Sequence, residues 1–119
     1  MLGREALAWA AGFVDGEGSF TLHNNKTYPR LSATQAHKEP LEKLQKLWGG
    51  TVRIQRYARP GHKTVYYWEI NGFAKVQNAL AQMYTWLGTV KREKGILVLD
   101  THMKTNWRRS RNVIPLKFY

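Results

Sequence analysis

Asp15 and Glu17 stand one residue apart in the segment Trp9 to Phe20, WAAGFVDGEGSF, among Gly12, Gly16 and Gly18. They offer hard oxygen donors at the end of a stretch of small apolar residues. Ala8, Gly12 and Gly16 recur every four residues and share one helix face almost bare of side chain. Such a face lets another backbone approach very closely. Glycine costs up to about 1 kcal/mol relative to alanine inside a helix, so its repetition needs a reason. Close helix packing that ends in a carboxylate supplies one. DGEGS also suits a plain polar turn after a helix, because Asp and Gly are common turn residues. Ala8-Trp9-Ala10 behind Arg4 mimics a signal-peptidase site, but few apolar residues precede it and both acids follow closely, which does not fit a secretory signal.

The other residue types with ligand chemistry are sparse. His23, His37, His62 and His102 show no HExxH or comparable spacing, which argues against a histidine-bound zinc; His23 stands out as a candidate binding residue and the other three read as solvated. The absence of cysteine excludes a disulfide framework and a thiolate zinc site, and fits an intracellular, reducing compartment. Charge is more informative. Nineteen Lys and Arg against eight Asp and Glu give a net charge of +11 in 119 residues, which favours a polyanionic partner, nucleic acid first. No run approaches the roughly 20 apolar residues of a membrane span, and no long basic amphipathic helix suggests a membrane surface. Five tryptophans and a 43% hydrophobic fraction argue for one folded domain spanning residues 1–119.

The chain reads as helix, two strands, helix, two strands, then two helices. The first helix covers roughly Arg4 to Asp15. Ser19 to His23 and Tyr28 to Gln35 alternate around an Asn24-Asn25-Lys26 turn, with Phe20, Leu22, Leu31 and Ala33 inward. Pro40 marks the first turn of the second helix, with Leu41, Leu44, Leu47 and Trp48 as its apolar stripe and Gly49-Gly50 as its stop. Thr51 to Tyr57 and Thr64 to Ile70 form a second hairpin, with Val52, Ile54, Tyr66, Trp68 and Ile70 inward. Phe73, Val76, Leu80, Met83, Tyr84 and Leu87 space a third helix that Gly88 ends, and a last helix covers roughly Lys91 to Trp107 before a basic tail with Arg108, Arg109 and Arg111.

Two hairpins interleaved with helices predict an α+β fold, a four-stranded antiparallel sheet with helices on one face and the other face open. The open face then presents Ser19, Thr21, His23, Arg30, Ser32, Thr34, Arg53, Gln55, Tyr57, Tyr67 and Glu69, with Asn25 and Tyr28 beside them. Several of these types pair with base edges, Arg with guanine and Gln with adenine. A solvated sheet face would also be polar; the excess positive charge tilts the reading towards a sheet that reads nucleic acid.

Ala10 to Gly18, AAGFVDGEG, resembles the nine-residue LAGLIDADG motif of homing endonucleases. The inferred αββαββα order also resembles that family's core, whose saddle-shaped sheet lies in the DNA major groove, and the similarity spans about Arg4 to Trp107. Leu31 to Gln35 resembles the family's second strand, which ends in a polar residue near the active site, and Lys91 resembles the basic residue opening the helix after the second hairpin. The resemblance implies that Glu17 is the metal ligand, joined by the Gly16 carbonyl, with Gln35 and Lys91 holding the attacking water and offsetting phosphate charge. Gln35 read without the family simply ends a strand, and Lys91 is one cation among nineteen. Asp15 matches the motif's first acid, which sits at a helix junction and not on the metal.

The implied ion is Mg²⁺, which suits a hard carboxylate and keeps waters and substrate phosphate as its other ligands; Mn²⁺ is expected to substitute and Ca²⁺ to support binding without cleavage. A single motif copy supplies half an active site. The family's solution is a homodimer with Ala8, Ala11, Gly12, Asp15 and Gly16 at the interface. The expected function is therefore a site-specific double-strand endonuclease acting on DNA, with no membrane or small-molecule partner. The rivals are a non-cleaving binder of the same fold, such as an RNA-splicing maturase or a DNA-binding regulator, and a structural basic protein of a nucleoprotein particle. Little chain follows the last helix for the C-terminal helices of some relatives.

Overall fold

The computed structural model describes residues 3–23 and 28–113, with side chains as far as Thr105. Asn25 of the expected DNA-facing set lies outside the described residues. The elements follow the order α1 (Arg4–Glu17), β1 (Gly18–His23), β2 (Tyr28–Gln35), α2 (Lys38–Trp48), β3 (Thr51–Arg56), β4 (Val65–Asn71), α3 (Phe73–Met83) and α4 (Thr89–Val113). All strand pairs are antiparallel, in the order β1-β2-β4-β3, which makes the architecture α+β.

Alternation along the strands builds the core. Phe20, Leu31, Ala33, Trp68 and Ile70 are buried from the sheet, and Val14, Leu41, Leu44, Val76, Leu80 and Met83 are buried from the helices. Pairing partners Phe20↔Leu31, Leu31↔Ile70 and Ala33↔Trp68 place these apolar side chains in one row across the strands. The complementary row, Ser19↔Ser32↔Glu69 and Thr21↔Arg30↔Asn71, belongs to the opposite face.

Two glycines permit close approaches that shape this frame. α1 passes into β1 without a loop, and a Cβ on Gly18 would lie 2.8 Å from Val14 Cγ1 and 2.9 Å from the Val14 carbonyl oxygen. Gly50, at φ +89°, lies against β4, where a Cβ would be 2.3 Å from the Glu69 carbonyl oxygen. Only glycine meets both the positive φ and that proximity.

Three elements differ from the sequence expectation. α3 stops at Met83; the amides of Trp86 and Leu87 both bond the Met83 carbonyl in a turn, although Leu87 is still buried. The last helix starts earlier and continues to Val113, so Arg108, Arg109 and Arg111 belong to α4 and not to a tail. Arginine is a good helix former, and no glycine or proline interrupts residues 96–114. β3 contains a bulge: Ile54 pairs Tyr66, yet Arg56 pairs Val65, leaving Gln55 as the extra residue.

Candidate functional site

The motif ends where three elements meet. Glu17 is the last residue of α1, exposed and without a hydrogen bond or ion pair among the described residues. The next residue, Gly18, offers its carbonyl to Lys91, whose Nζ donates across 2.6 Å from the first turn of α4. A cation in a first turn opposes the helix dipole, and α4 has no acid of its own there. Asp15 supplies the missing negative charge from α1: both its carboxylate oxygens accept from the Gly88 amide, at 3.0 and 2.9 Å. Asp15 therefore acts as a helix cap from 73 residues away and holds the segment that carries Lys91. Asp15→Ala is expected to cost about 1 kcal/mol of stability, the size of a lost N-cap, read as a lowered denaturation midpoint; unchanged stability would exclude the capping role.

Gln35 closes β2 two residues past Ala33, the partner of Gly18, so it ends near the tip of α1. Its partner is Tyr66, which puts it in the row of Leu31 and Ala33, and its Oε1 accepts from the Ala36 amide at 2.8 Å. Among the described residues no group of three or more His, Asp or Glu is placed to hold a metal ion. At the end of the motif one chain brings the Glu17 carboxylate, without a partner among the described residues, and the backbone of Gly16 beside it. That fits Mg²⁺, which is commonly bound by one or two carboxylates plus waters and substrate phosphates.

The other face of α1 explains its small residues. Ala10, Ala11 and Val14 pack into the core with no exposed surface. Opposite them, Gly12 and Gly16 are exposed, and a Cβ on either would meet nothing within 4 Å; Ala8 is half-buried. Ala11 is thereby removed from the expected intermolecular face, because it is spent on the chain's own interior. The Asp15 carboxylate is likewise directed at Gly88 of its own chain. Nothing among the described residues requires residues 12 and 16 to be glycine.

On the open sheet face the register assembles Ser19, Thr21, Arg30, Ser32, Thr34, Arg53, Tyr67 and Glu69. The bulge removes two expected members. Gln55 is unpaired at the bulge, and Tyr57 lies beyond the strand, 74% exposed. Arg56 takes a place on this face instead, because its partner Val65 alternates with Tyr67 and Glu69. A run of alternating residue types gives no sign of one extra residue, so Arg56 was not legible. His23 and Tyr28 pair at the far end, their rings 5.9 Å apart, and Tyr28 lies 6.2 Å from the His102 ring. His102, read from the sequence as solvated, is buried from α4 and stacks on Phe73.

Glu69 is the second correction to the DNA-facing set. It is 8% exposed, salt-bridged to Arg30 and Arg53 at 2.7 Å each, so it is not a free acceptor for a base. Burial pushes its carboxyl up, but the Arg53 hydrogen bond, the Arg30 charge and the Asn71 contact outweigh this and hold it below its ordinary value. A carboxyl depressed on folding stabilises the fold above its unfolded value of about 4.3 and loses that contribution as pH falls through the folded value. The stability gap between wild type and Glu69→Gln is thus expected to be full above about pH 5 and to shrink in more acidic buffer. Thermal melts across pH check it; a gap independent of pH would contradict the ion pairing.

An α1 that ends in the unpartnered Glu17, with Lys91 held on the next residue's carbonyl and a four-stranded antiparallel sheet following, is the arrangement of a LAGLIDADG-type protein. The family profile of the LAGLIDADG-like domain matches residues 4–83, and the chain belongs to that family. Its fold is similar to that of the homing endonuclease I-CvuI in complex with its target in the presence of Ca, at TM-score 0.70 and 24% identity over 93% of this chain and 74% of that one. I-CvuI with the I-CreI target in the presence of Mg, where the DNA is not cleaved, gives 0.68 and 26% over 85% and 68%. The homing endonuclease I-TnaI gives 0.64 and 23% over 92% and 77%. The DNA-bound LAGLIDADG homing endonuclease I-GzeII is longer; the match, at TM-score 0.64 and 18% identity, covers 93% of this chain and 38% of that one. No curated protein matches the sequence. No helix among the described residues is long and apolar enough to cross a membrane.

Proposed function

We propose that this protein is a homodimeric, divalent-metal-dependent DNA endonuclease of the homing type, cutting both strands of a long, near-palindromic duplex. The observation that carries the reading is the unpartnered Glu17 carboxylate at the end of a helix face left bare by Gly12 and Gly16. A carboxylate kept free of its own chain's eleven surplus positive charges is available to a cation. A bare helix face at the same point lets a second copy bring its own Glu17 alongside. The length relation to I-GzeII, whose chain is matched over 38%, agrees with one copy here equalling one half of a larger unit.

In this reading Glu17 and the Gly16 carbonyl hold Mg²⁺, or Mn²⁺ in its place, while Ca²⁺ supports binding without cleavage. When bound, the ion supplies positive charge to the scissile phosphate and makes a bound water more acidic. Lys91, tethered to Gly18, sets its ammonium charge beside that phosphate; Gln35 orients the water from the end of β2. The sheet faces of two copies lie along the major groove and read bases, while lysines and arginines around them contact phosphates. The reading is tested with a supercoiled plasmid library of randomised targets and Mg²⁺. Linear products from a selected subset are expected. Selective binding with every plasmid left intact would point to a non-cleaving binder of the same fold, and unselective binding to a structural basic protein.

A further inference from the structure

Near the centre of the open sheet face one carboxylate is held from two sides. Arg30 of β2 places Nε 2.7 Å from Glu69 Oε2 and donates to Asn71 Oδ1 at 2.9 Å. Arg53 of β3 donates from Nη1 to Glu69 Oε1 at 2.7 Å and lies over the Tyr67 ring, 4.5 Å from its centroid. The Tyr67 hydroxyl donates to Oε2 at 3.4 Å. Glu69 thus accepts hydrogen bonds from Arg53 and Tyr67 and is ion-paired with Arg30, and it sits on β4, the strand between the two that carry the arginines.

The donors left over are informative. Both terminal nitrogens of Arg30, and Nε and Nη2 of Arg53, have no partner among the described residues. Each pair is a two-donor edge of the kind that matches O6 and N7 of guanine. An unrestrained arginine must give up much side-chain freedom when it docks; one already fixed by a carboxylate loses less. Arg30 meets Oε2 and Arg53 meets Oε1 of the same carboxylate, so the two heads are neighbours on this face and can address neighbouring base pairs. Resting on the DNA-recognition reading above, we infer that Glu69 is a specificity-determining positioning residue. It locks Arg30 and Arg53 into one reader of two adjacent G·C pairs in each half-site, without touching a base itself.

The test selects bound sequences from a randomised duplex DNA pool with wild-type protein and with Glu69→Gln, Arg30→Lys and Arg53→Lys. Wild type is expected to enrich two adjacent G·C pairs per half-site. Each lysine variant keeps the charge but lacks the fork, and should flatten the preference at one of those positions by about 5- to 150-fold. Glu69→Gln should flatten both together while leaving the remaining positions unchanged, an outcome that a general loss of folding does not produce. A wild-type profile that Glu69→Gln leaves unaltered overturns the inference and spares the proposed function. A wild type without any sequence preference overturns both. If Glu69→Gln does not fold, the lysine variants decide: positions separated by intervening base pairs overturn the inference, and adjacent ones support it.

Discussion

Glu17→Gln is expected to lower cleavage by about a thousandfold or more while DNA affinity stays level or rises slightly. The substitution preserves shape and removes one anionic oxygen donor, and a metal contributes several kcal/mol to a phosphoryl-transfer transition state. Affinity should hold because Glu17 lies at the end of α1 and belongs to no row of the sheet face. Under the proposed function, removing a negative charge near phosphate lowers repulsion and offsets the loss of one ligand to the ion. Plasmid nicking in Mg²⁺ and duplex binding in Ca²⁺ measure the two quantities separately. Undiminished nicking by the purified variant would remove the mechanism proposed here.

Gly12→Leu should abolish both self-association and double-strand cutting, yet leave the single chain folded. The prediction is sharp because the two effects have opposite signs. Among the described residues a Cβ at position 12 meets nothing within 4 Å and the position is exposed, and leucine is a better helix former than glycine by roughly 1 kcal/mol, so the monomer should melt no earlier. Between copies, a twofold axis would put two leucines where two backbones meet, and overpacking costs about 1–3 kcal/mol at each site. Light scattering and circular dichroism melts read the two effects. A leucine variant that still dimerises, or a monomer that still breaks both strands, would contradict the interface.

The motif was legible because its demands are local. A four-residue spacing of Ala8, Gly12 and Gly16 fixes one helix face, and the strand alternations of Phe20 and Leu22 or of Leu31 and Ala33 fix an inner row without reference to distant residues. What escaped depends on partners far along the chain. Ala11 looks equivalent to Ala8 in the sequence, and only tertiary packing decides that it faces inwards. The bulge at Gln55 arises from the pairing of β3 with β4, so Gln55 and Arg53 look equivalent until the register is known. Glu69 reads as one more polar residue on an open face; its capture by Arg30 and Arg53 requires the order β2-β4-β3. The length of α4 was underestimated because an arginine cluster resembles a charged tail, although arginine favours helix.

The clasp between the ends of α1 and α4 has a bearing on how the chain is made. Synthesis runs from the amino end, so Glu17 and every strand through Asn71 are in place before Gly88 and Lys91 exist. The family profile also ends at residue 83, ahead of both. A chain halted between Asn71 and Gly88 would carry the reading strands and the motif acid without the amide that orients Asp15 or the ammonium beside Gly18. Under the proposed function, the ability to cut therefore waits until Gly88 and Lys91 have been added. A copy cut short by an early stop codon would lack this clasp, together with the part of the core that α4 supplies, and is expected not to cut.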